Sequence, residues 1–442
     1  MKVHFVGIGG IGVSALARYY LSQGWQVSGS DLTASEITDD LQKEGVLFFV
    51  GHNADNVPDD ANKIIYSAAV KEGNPELVRA RSLEIFSLSY AQALGELTRQ
   101  YITFAISGSH GKSTTTALLS LMMIKANLDP TVIIGTRLKE FDGKNFRLGK
   151  SRYLIIEADE WANSFHHYYP AVAVITNIDK EHLDTFGSLR GVIKSFNYYL
   201  KNNISKDGKI IINSQDKNSV AATKNCGSKI IYYDKKPEWP LKIPGNFNQL
   251  NAEAAWQAAK LLGVSKKDAL AATKSYQGSW RRSEQLTPIN IRANKSIFYS
   301  DYAHHPTEIK AVGLGLKEKY PNKKIVLIFQ PHQVERLTNL FNDFAKSFKD
   351  FDEIGILPAY EVAGRELTGG KTSKDLVKKI NPVRNRAQTQ ASAISYGTRA
   401  RYLNNFDETL TFIGGYSGSI VVFMGAGDID NAVRKHFKSK LL

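Results

Sequence analysis

The segment ISGSHGKSTTT carries the residue types that hold a nucleoside triphosphate. Gly108 and Gly111 precede Lys112 and Ser113 in a G-x-x-G-K-S pattern that follows an apolar run. In such a loop backbone N–H groups surround the phosphates, the lysine meets the outer ones and the serine hydroxyl binds Mg²⁺. A strict P-loop would have glycine where this chain has Ile106. The preceding strand and the lysine still predict a phosphate-binding loop.

Acidic residues at the ends of two later apolar runs are candidate Mg²⁺ ligands. The run LIIEADE places Glu157 first, with Asp159 and Glu160 in reserve, and TNIDKEHLD contains His182. Mg²⁺ prefers hard oxygen ligands and needs more than one anchoring group near the phosphates. We therefore expect Glu157 beside the loop. His182 either reaches a metal or phosphate, or lies at a surface or helix cap.

A second glycine-rich loop opens the chain, in VGIGGIGVSALA. It follows a strand pattern and starts a helix, and an aspartate closes the next strand. Glycines allow a diphosphate to approach a helix N-terminus, and the carboxylate would bind a ribose. NAD and a UDP-sugar both satisfy this pattern, and glycines that serve only strand–helix packing are a third interpretation. The candidate contacts are Gly7, Gly9, Gly10, Ile11, Gly12 and Asp31.

Alternating strand and helix patterns place both loops in α/β domains. Residues 1–98 read as a small α/β domain, and a second alternation with a larger parallel sheet begins at 101. A polar stretch containing Pro288 precedes a third set of strands at 296–300, 324–330, 353–357 and 419–424. We expect domains 1–98, 99–288 and 289–442.

The composition limits the class of protein. With 442 residues, 43% hydrophobic and 23% charged, the chain is too long for one ordinary core and is typical of a globular multidomain protein. Cys226 is the only cysteine, so an intrachain disulfide and a cysteine-based metal cluster are both excluded. This usage fits a reducing compartment, and we expect a cytoplasmic protein.

Three alternative assignments are disfavoured by the sequence. The N-terminus has a lysine and apolar residues like a secretory signal, but four glycines interrupt the apolar run. A membrane-spanning helix needs about 18 consecutive apolar residues, and we find no such window. The formal charge of +14 could indicate nucleic-acid binding, but the basic residues are dispersed and equally suit small polyanionic substrates.

Further along the chain, a series of segments resembles the Mur ligase family. The resemblance runs in order from residue 4 to 429, and eight motifs in the correct order give it high specificity. The segments are HFVGIGGIGVSALA, ISGSHGKSTTT, EADE, TNIDKEHLDTFGS, IPGNFNQLNAEAA, GSWRRSE, DYAHHPTEI and FQPHQVER, followed by MGAGDI.

This resemblance implies an α/β fold of three domains. The N-terminal domain would be Rossmann-like and bind a UDP-sugar, the central one a P-loop ATPase-like parallel sheet, and the C-terminal one Rossmann-like for the amino acid. It implies an ATP- and Mg²⁺-dependent amide ligase of peptidoglycan precursor synthesis. ATP would phosphorylate the lactyl carboxylate of UDP-N-acetylmuramate, and L-alanine would attack the acyl phosphate. The two loops would then hold different nucleotides.

The resemblance also assigns residues around ATP. Lys112, Glu157 and His182 match the catalytic apparatus, and Ser113, Glu157 and His182 the metal ligands. Phe247 stands where a histidine is usual in the family. Asn248 and Asn251 could instead cap a helix. Either Arg281 or Arg282 could instead form an interdomain salt bridge. The implied ATP contacts are Gly108, Ser109, His110, Gly111, Lys112, Ser113, Thr114, Asn248, Asn251, Arg281, Arg282 and Asp301.

In the third domain the resemblance assigns two pairs of residues. His304 and His305 match a dyad facing the reacting groups, although one of two adjacent histidines could simply pack. His332 and Arg336 match positions that contact L-alanine, while Gln333 replaces an arginine. Because the missing guanidinium removes a carboxylate partner, glycine and L-serine stay open as substrates.

Other functions predict different behaviour. A murein peptide ligase of the recycling pathway would join a whole peptide to the same sugar. A P-loop ATPase stimulated by nucleic acid would respond to RNA or DNA. A non-catalytic UDP-sugar binder would have no use for Lys112 with Ser113 and Glu157, and a dehydrogenase would bind NADH.

Overall fold

Sheets of mostly parallel strands organise the chain, as the alternating sequence pattern predicts. The computed structural model describes residues 1–234, 238–286, 295–361, 369–381 and 399–438. These form two units, one within 1–241 and 249–276 and the other within 242–248 and 277–442. Two sheets lie in the first unit and one in the second. The expected domain boundary near 288 falls outside the described residues.

The first sheet is parallel and holds the N-terminal loop at its centre. Its strands are β1 (Lys2–Val6), β2 (Gln26–Asp31), β3 (Leu47–Val50), β4 (Lys63–Tyr66) and β5 (Ser87–Ser89), in the order β3-β2-β1-β4-β5. Its helices are α1 (Ile11–Ser22), α2 (Glu36–Lys43), α3 (Pro75–Ser82) and α4 (Tyr90–Thr98), with a 3-10 turn at Ala54–Asn56. The strand order reverses at β1, so the loop after β1 lies where open α/β sheets bind ligands.

The second sheet carries the phosphate loop. Its strands are β6 (Ile102–Ser107), β7 (Thr131–Leu138), β8 (Lys144–Arg147), β9 (Tyr153–Glu157), β10 (Val172–Ile175), β11 (Lys209–Asn213) and β12 (Lys229–Tyr233). Its helices are α5 (Lys112–Lys125), α6 (Leu183–Phe186), α7 (Leu189–Asn202), α8 (Lys217–Ala222), α9 (Asn246–Lys260) and α10 (Lys266–Ser275), with 3-10 segments at Lys139–Phe141 and Trp161–His167. The order is β12-β11-β10-β6-β9-β7-β8, and only β8 pairs antiparallel among these strands.

The third sheet belongs to the second unit. Its strands are β13 (Glu284–Leu286), β14 (Ile297–Asp301), β15 (Ile325–Phe329), β16 (Glu353–Ile356), β17 (Arg399–Tyr402) and β18 (Ile420–Met424). Its helices are α11 (Pro306–Lys319), α12 (Val334–Asn339), α13 (Phe341–Ser347), α14 (Ser373–Ile380), α15 (Phe406–Gly414) and α16 (Ile429–Lys438). The order is β13-β14-β18-β15-β16-β17, with β13 antiparallel to β14.

Burial explains why the central strands read as continuous apolar runs. Every residue of β15 and β18 is buried, as are five of the six in β6. Parallel strands covered by helices on both faces need apolar side chains in both directions, which removes the period-two alternation. The α/β fold class predicted from the sequence is confirmed. Among the described residues, no helix has the length and apolar content to span a membrane.

Candidate active site

Two glycines shape the loop between β6 and α5. Gly108 has φ of +128° and Gly111, the N-cap of α5, has φ of +86°. A side chain at Gly108 would overlap the hydroxyl of Thr176 and the backbone of Asn177, and one at Gly111 would overlap the amide of Asn251. Because the N-cap is glycine, no capping side chain competes for the first N–H groups of α5. The loop therefore has the backbone geometry of a phosphate site.

The residues that follow β10 hold this loop in place by hydrogen bonds. The Asn177 side chain accepts from His110 N–H at 3.0 Å and donates to His110 C=O at 2.9 Å. The Thr176 hydroxyl donates to the same carbonyl at 2.6 Å. Ser109 N–H donates to Asn177 C=O at 3.0 Å, and its hydroxyl accepts from Asp179 N–H at 2.8 Å. Sequence reasoning assigned no role to Asn177, although it lies in the TNIDKEHLD segment.

Lys112 is held by an ion pair within the site. Its Nζ donates to Gly108 C=O at 2.7 Å and to Glu160 Oε2 at 2.9 Å, and lies 3.9 Å from Asp159 Oδ1. Burial opposes the charge of this lysine, but the carboxylates of Glu160 and Asp159 outweigh that effect and raise its pKa. Lys112 is therefore a charged ammonium at the phosphate loop, as its predicted role requires.

Ser113 and Glu157 are brought together, as the sequence predicts. The Ser113 hydroxyl donates to Glu157 Oε2 at 3.1 Å, and Gly135 N–H donates to Oε1 at 2.6 Å. Thr114, the next residue of α5, is buried. A hydroxyl and a carboxylate at this spacing beside a phosphate loop form the oxygen-rich ligand set that Mg²⁺ prefers.

A second group of potential metal ligands includes the two acidic residues that contact Lys112. Ligand atoms of Asp159, Glu160 and His182 all lie within 4.8 Å of one another. Glu160 is fully buried, and its Oε1 has no hydrogen-bond partner among the described residues. Burial raises the pKa of the Glu160 carboxyl, and the charge of Lys112 opposes that rise. The residues present thus fit a divalent cation, and the group contains Asp159 and Glu160, the two reserve ligands from the sequence.

The two predicted asparagines have different surroundings. Asn251 is buried against Gly111 in the first unit, beside the phosphate loop. Asn248 belongs to the second unit, where its amide donates to Pro244 C=O at 2.6 Å. Phe247 packs on Gly245 and on the core of the third sheet, so its ring fills an apolar role in that unit.

The N-terminal loop is tied to the end of β2. The N–H groups of Gly7 and Ile8 donate to Ser30 C=O at 2.8 and 2.9 Å. Gly9 N–H donates to Asp31 Oδ2 at 2.8 Å. Asp31, expected to bind a ribose, thus also holds the loop itself. Gly10 is the N-cap of α1, so Ile11 and Gly12 begin a helix that has no capping side chain.

The ring of Tyr90 explains why the last position of this loop, residue 12, is glycine. A Cβ on Gly12 would lie 2.8 Å from the Tyr90 hydroxyl, so any larger residue would displace the ring. Burial, together with the negative charges of Glu157 and Asp159, raises the pKa of Tyr90, which keeps its hydroxyl protonated. Sequence reasoning missed Tyr90, because nothing in its own segment marks it as a neighbour of either loop.

In the second unit, Asp301 and the two arginines have different partners. Asp301 is buried and accepts from Ser283 N–H at 2.7 Å and Ala303 N–H at 2.8 Å. Arg281 is buried and donates to the carbonyls of Gly425 and Gly427 at 2.5 and 3.1 Å. Arg282 is more exposed and lies 3.5 Å from Glu308. Of the two arginines, Arg282 therefore has the more exposed side chain.

The adjacent histidines serve different purposes. His305 is buried at the N-cap of α11, where Nδ1 accepts from Thr307 N–H at 3.3 Å. His304 is held through Nδ1 by Tyr302 C=O at 3.0 Å, so this nitrogen carries the proton. His305 is thus buried and caps the helix, while His304 is partly exposed, and the predicted role of the pair toward the reacting groups stays a prediction.

His304 and the predicted amino-acid contacts lie together. The His304 and His332 rings are 5.7 Å apart, and His332 stacks on Tyr360 at 5.8 Å. Arg336 Nη1 donates to His332 Nδ1 at 3.2 Å. Tyr360 was not predicted, because its segment has no pattern that relates it to His332. Gln333 has φ of +67° and donates its N–H to Tyr360 C=O at 2.8 Å.

Comparison with known proteins identifies the class. Three family models match the chain: the Mur ligase family catalytic domain over residues 2–102, the Mur ligase middle domain over 106–249, and the Mur ligase glutamate ligase domain over 286–427. Since these models together cover most of the chain, it belongs to the Mur ligase family, with that family's three-domain architecture.

Individual relatives cover nearly the whole chain. It is 34% identical to a UDP-N-acetylmuramate–L-alanine ligase of Clostridium novyi (strain NT), covering 97% of this chain and 95% of the relative. It is 36% identical to the ligase of the same name from Clostridium tetani, covering 98% and 96%. The crystal structure of the UDP-N-acetylmuramate–alanine ligase of Thermotoga maritima matches with a TM-score of 0.81 at 28% identity, covering 100% and 99%.

Proposed function

We propose that this chain is an ATP-dependent ligase that joins L-alanine to the lactyl carboxylate of UDP-N-acetylmuramate, in peptidoglycan precursor synthesis. Relatives that bear this activity in their names share about a third of their residues with it over almost its full length. We assign the activity to the cytoplasm, without nucleic-acid or membrane partners. We also propose domains 1–98, 99–288 and 289–442.

One arrangement carries the proposal. The Lys112–Glu160 ion pair and the Ser113–Glu157 hydrogen bond lie on a single phosphate loop, at 2.9 and 3.1 Å. A carboxylate at neutral pH is a poor electrophile, and phosphorylation converts it into an acyl phosphate that an amine can attack. Phosphoryl transfer needs mainly positioning and charge neutralisation, which the partly buried ammonium of Lys112 and the proposed Mg²⁺ site would provide.

We propose that Ser113, Glu157 and His182 hold Mg²⁺, with Asp159 and Glu160 beside them. The ion would neutralise phosphate charge when bound. ATP would contact the loop residues 108–114 with Lys112, together with Asn248, Asn251, Arg281, Arg282 and Asp301. Lys112 would exchange Glu160 for the phosphate as its partner.

We further propose that residues 7–12 and Asp31 hold the UDP-sugar, and that His332 and Arg336 hold L-alanine near His304 and His305. The lactyl carboxylate oxygen attacks the γ-phosphorus, and ADP leaves. The alanine nitrogen then attacks the acyl carbon, inorganic phosphate leaves, and the nitrogen loses a proton. The products are the amide, ADP and phosphate.

The test is product formation by the purified chain with ATP, Mg²⁺, UDP-N-acetylmuramate and one amino acid at a time. We expect an amide product and phosphate release, with kcat/KM for L-alanine at least about tenfold above glycine and L-serine, since one methyl group or one unpaired polar group is worth that much. No amide, or equal amide without nucleotide, contradicts the proposal. Equal use of all three amino acids contradicts the assignment of L-alanine as the substrate. Parallel reactions with a peptide, or with RNA or DNA, test the alternatives.

A further inference from the structure

A buried asparagine joins the second sheet to the start of helix α1. Asn145, on strand β8, is 1% exposed. Its amide donates to Ile11 C=O at 2.5 Å and to the Ser14 hydroxyl at 2.9 Å. Ile11 is the first residue of α1 and directly follows Gly9 and Gly10. The side chain therefore holds the turn of helix that carries the N-terminal glycine loop.

Arg18 completes the arrangement from the next turn of α1. It is 5% exposed, and its Nη1 donates to Asn145 Oδ1 at 2.5 Å. Its Nε donates to Glu44 Oε2 at 2.8 Å, and Lys144 lies 3.3 Å from the other oxygen of Glu44. Both polar ends of the Asn145 amide are thus satisfied, which a buried amide requires.

Hydrogen bonds fix this contact more precisely than apolar packing would. Apolar burial is non-directional, so a leucine at 145 would attach the two surfaces without choosing an orientation. An amide that donates from its NH2 group and accepts at its carbonyl oxygen specifies where Ile11 and Arg18 lie relative to β8. Removing either partner would leave buried polar groups unpaired.

Strands β7 and β8 form a hairpin, and this hairpin also contacts Glu157, a proposed Mg²⁺ ligand. Strand β7 pairs antiparallel with β8, and Gly135 on β7 donates its N–H to Glu157 Oε1 at 2.6 Å. Arg137, two residues further along β7, bonds Asp40 of α2 at 3.0 Å. The β7–β8 hairpin therefore contacts both helix α1, which follows the N-terminal glycine loop, and Glu157, which bonds Ser113.

We propose that Asn145 and Arg18 are positioning residues that hold the UDP-sugar loop in register with the ATP-binding sheet. The inference rests on the proposed function for the identity of the two ligands. The lactyl carboxylate must reach the γ-phosphate, so a fixed distance between the loop that carries the sugar nucleotide and the loop that carries ATP contributes directly to a productive geometry.

The test is Asn145→Asp, which keeps the acceptor for Arg18 and loses the donor to Ile11. Asn197→Asp is the matched control, because Asn197 donates its amide to two carbonyls of the same sheet domain, Ala222 and Lys224, both at 2.8 Å. We expect Asn145→Asp to weaken UDP-N-acetylmuramate binding about tenfold, the loss typical of one buried hydrogen bond, with ATP binding within twofold of the parent. Asn197→Asp should change neither affinity.

Amide hydrogen exchange gives a readout that is independent of activity. We expect residues 7–15 to exchange faster in Asn145→Asp but not in Asn197→Asp, and residues 108–114 to be unchanged in both. Arg18→Lys, which keeps the positive charge but has a single donor nitrogen, should give a smaller effect of the same kind and provides a second variant if Asn145→Asp folds poorly. The proposal would be overturned if residues 7–15 exchanged at the parent rate in both Asn145→Asp and Arg18→Lys. Equal losses of sugar-nucleotide and ATP affinity in these variants would also overturn it. If the parent forms no amide, the proposed function fails, and the exchange result still decides the positioning role.

Discussion

The amide of Asn177 bonds to both backbone polar groups of His110, at 3.0 and 2.9 Å, across 67 residues of sequence. This two-point contact fixes the middle of the phosphate loop to the end of β10. The loop conformation is thus set by a neighbouring strand, and its own glycines only permit it.

Asn177→Asp should raise the KM for ATP about tenfold, because the carboxylate loses the donor and places negative charge against a carbonyl and the phosphates. Steady-state kinetics with saturating sugar nucleotide and amino acid measures this. Asn202→Asp is the control, since the exposed Asn202 donates to Tyr198 C=O at 2.7 Å, within its own helix. An ATP KM that is the same in both variants would show that the contact between Asn177 and His110 has no role in nucleotide binding.

Lys112→Met should reduce ligation by about 3 kcal/mol of transition-state stabilisation, the loss expected for one electrostatic group, or about 100-fold in rate. The single variant also leaves Glu160 buried without its counter-charge, which lowers stability. Lys112→Met with Glu160→Gln separates the two effects. The double variant should recover thermal stability without recovering activity. Near-full ligation by the single variant would contradict the role of Lys112.

Glu76→Gln should destabilise the first sheet in a pH-dependent way. Glu76 is fully buried and accepts from Ser30 Oγ at 2.6 Å and Asn56 Nδ2 at 2.7 Å, with His4 Nε2 at 3.5 Å. Burial acts to raise its pKa, but the hydrogen bonds from His4, Ser30 and Asn56 outweigh it and hold the pKa below the ordinary value of 4.5.

A depressed folded-state pKa means that this carboxylate contributes stability above pH 4.5 and loses it as the pH falls through the lower folded value. We expect Glu76→Gln to cost about 1–3 kcal/mol of unfolding free energy at pH 7, with a smaller difference from the parent below pH 4. Denaturant unfolding at several pH values measures this. The exposed Glu72→Gln should show neither effect, and a pH-independent difference for Glu76→Gln would refute the assignment.

Arg336→Met should weaken use of the amino acid selectively. Arg336 donates to His332 Nδ1, so the variant removes a cation and releases the histidine. We expect at least a tenfold rise in the KM for L-alanine with the KM for ATP unchanged, because the variant would lose the charge-assisted contact that we propose between Arg336 and the amino-acid carboxylate. Arg401→Met is the control, since Arg401 is exposed over the Phe412 ring in the same unit. A parallel rise in both KM values would point to a general structural defect.

Much of the architecture follows from local sequence. The glycine loops, the strand that precedes each, Lys112 and the acid at the end of β9 are all visible as short patterns. Their roles depend on backbone freedom, helix N-termini and strand ends, which neighbouring residues specify. The predicted strands around both loops and in the third sheet are confirmed.

The tertiary structure decided which distant residues support these patterns. Asn145 meets Ile11 across 134 residues, and Tyr90 lies against Gly12, although neither has a local signal. The antiparallel strand β8 was missed, and it carries Asn145. Asp31, which the sequence predicts to bind a ribose, accepts a hydrogen bond from Gly9 N–H. Such contacts depend on the order in which strands assemble into a sheet, and hydrophobic periodicity within one segment does not contain that order.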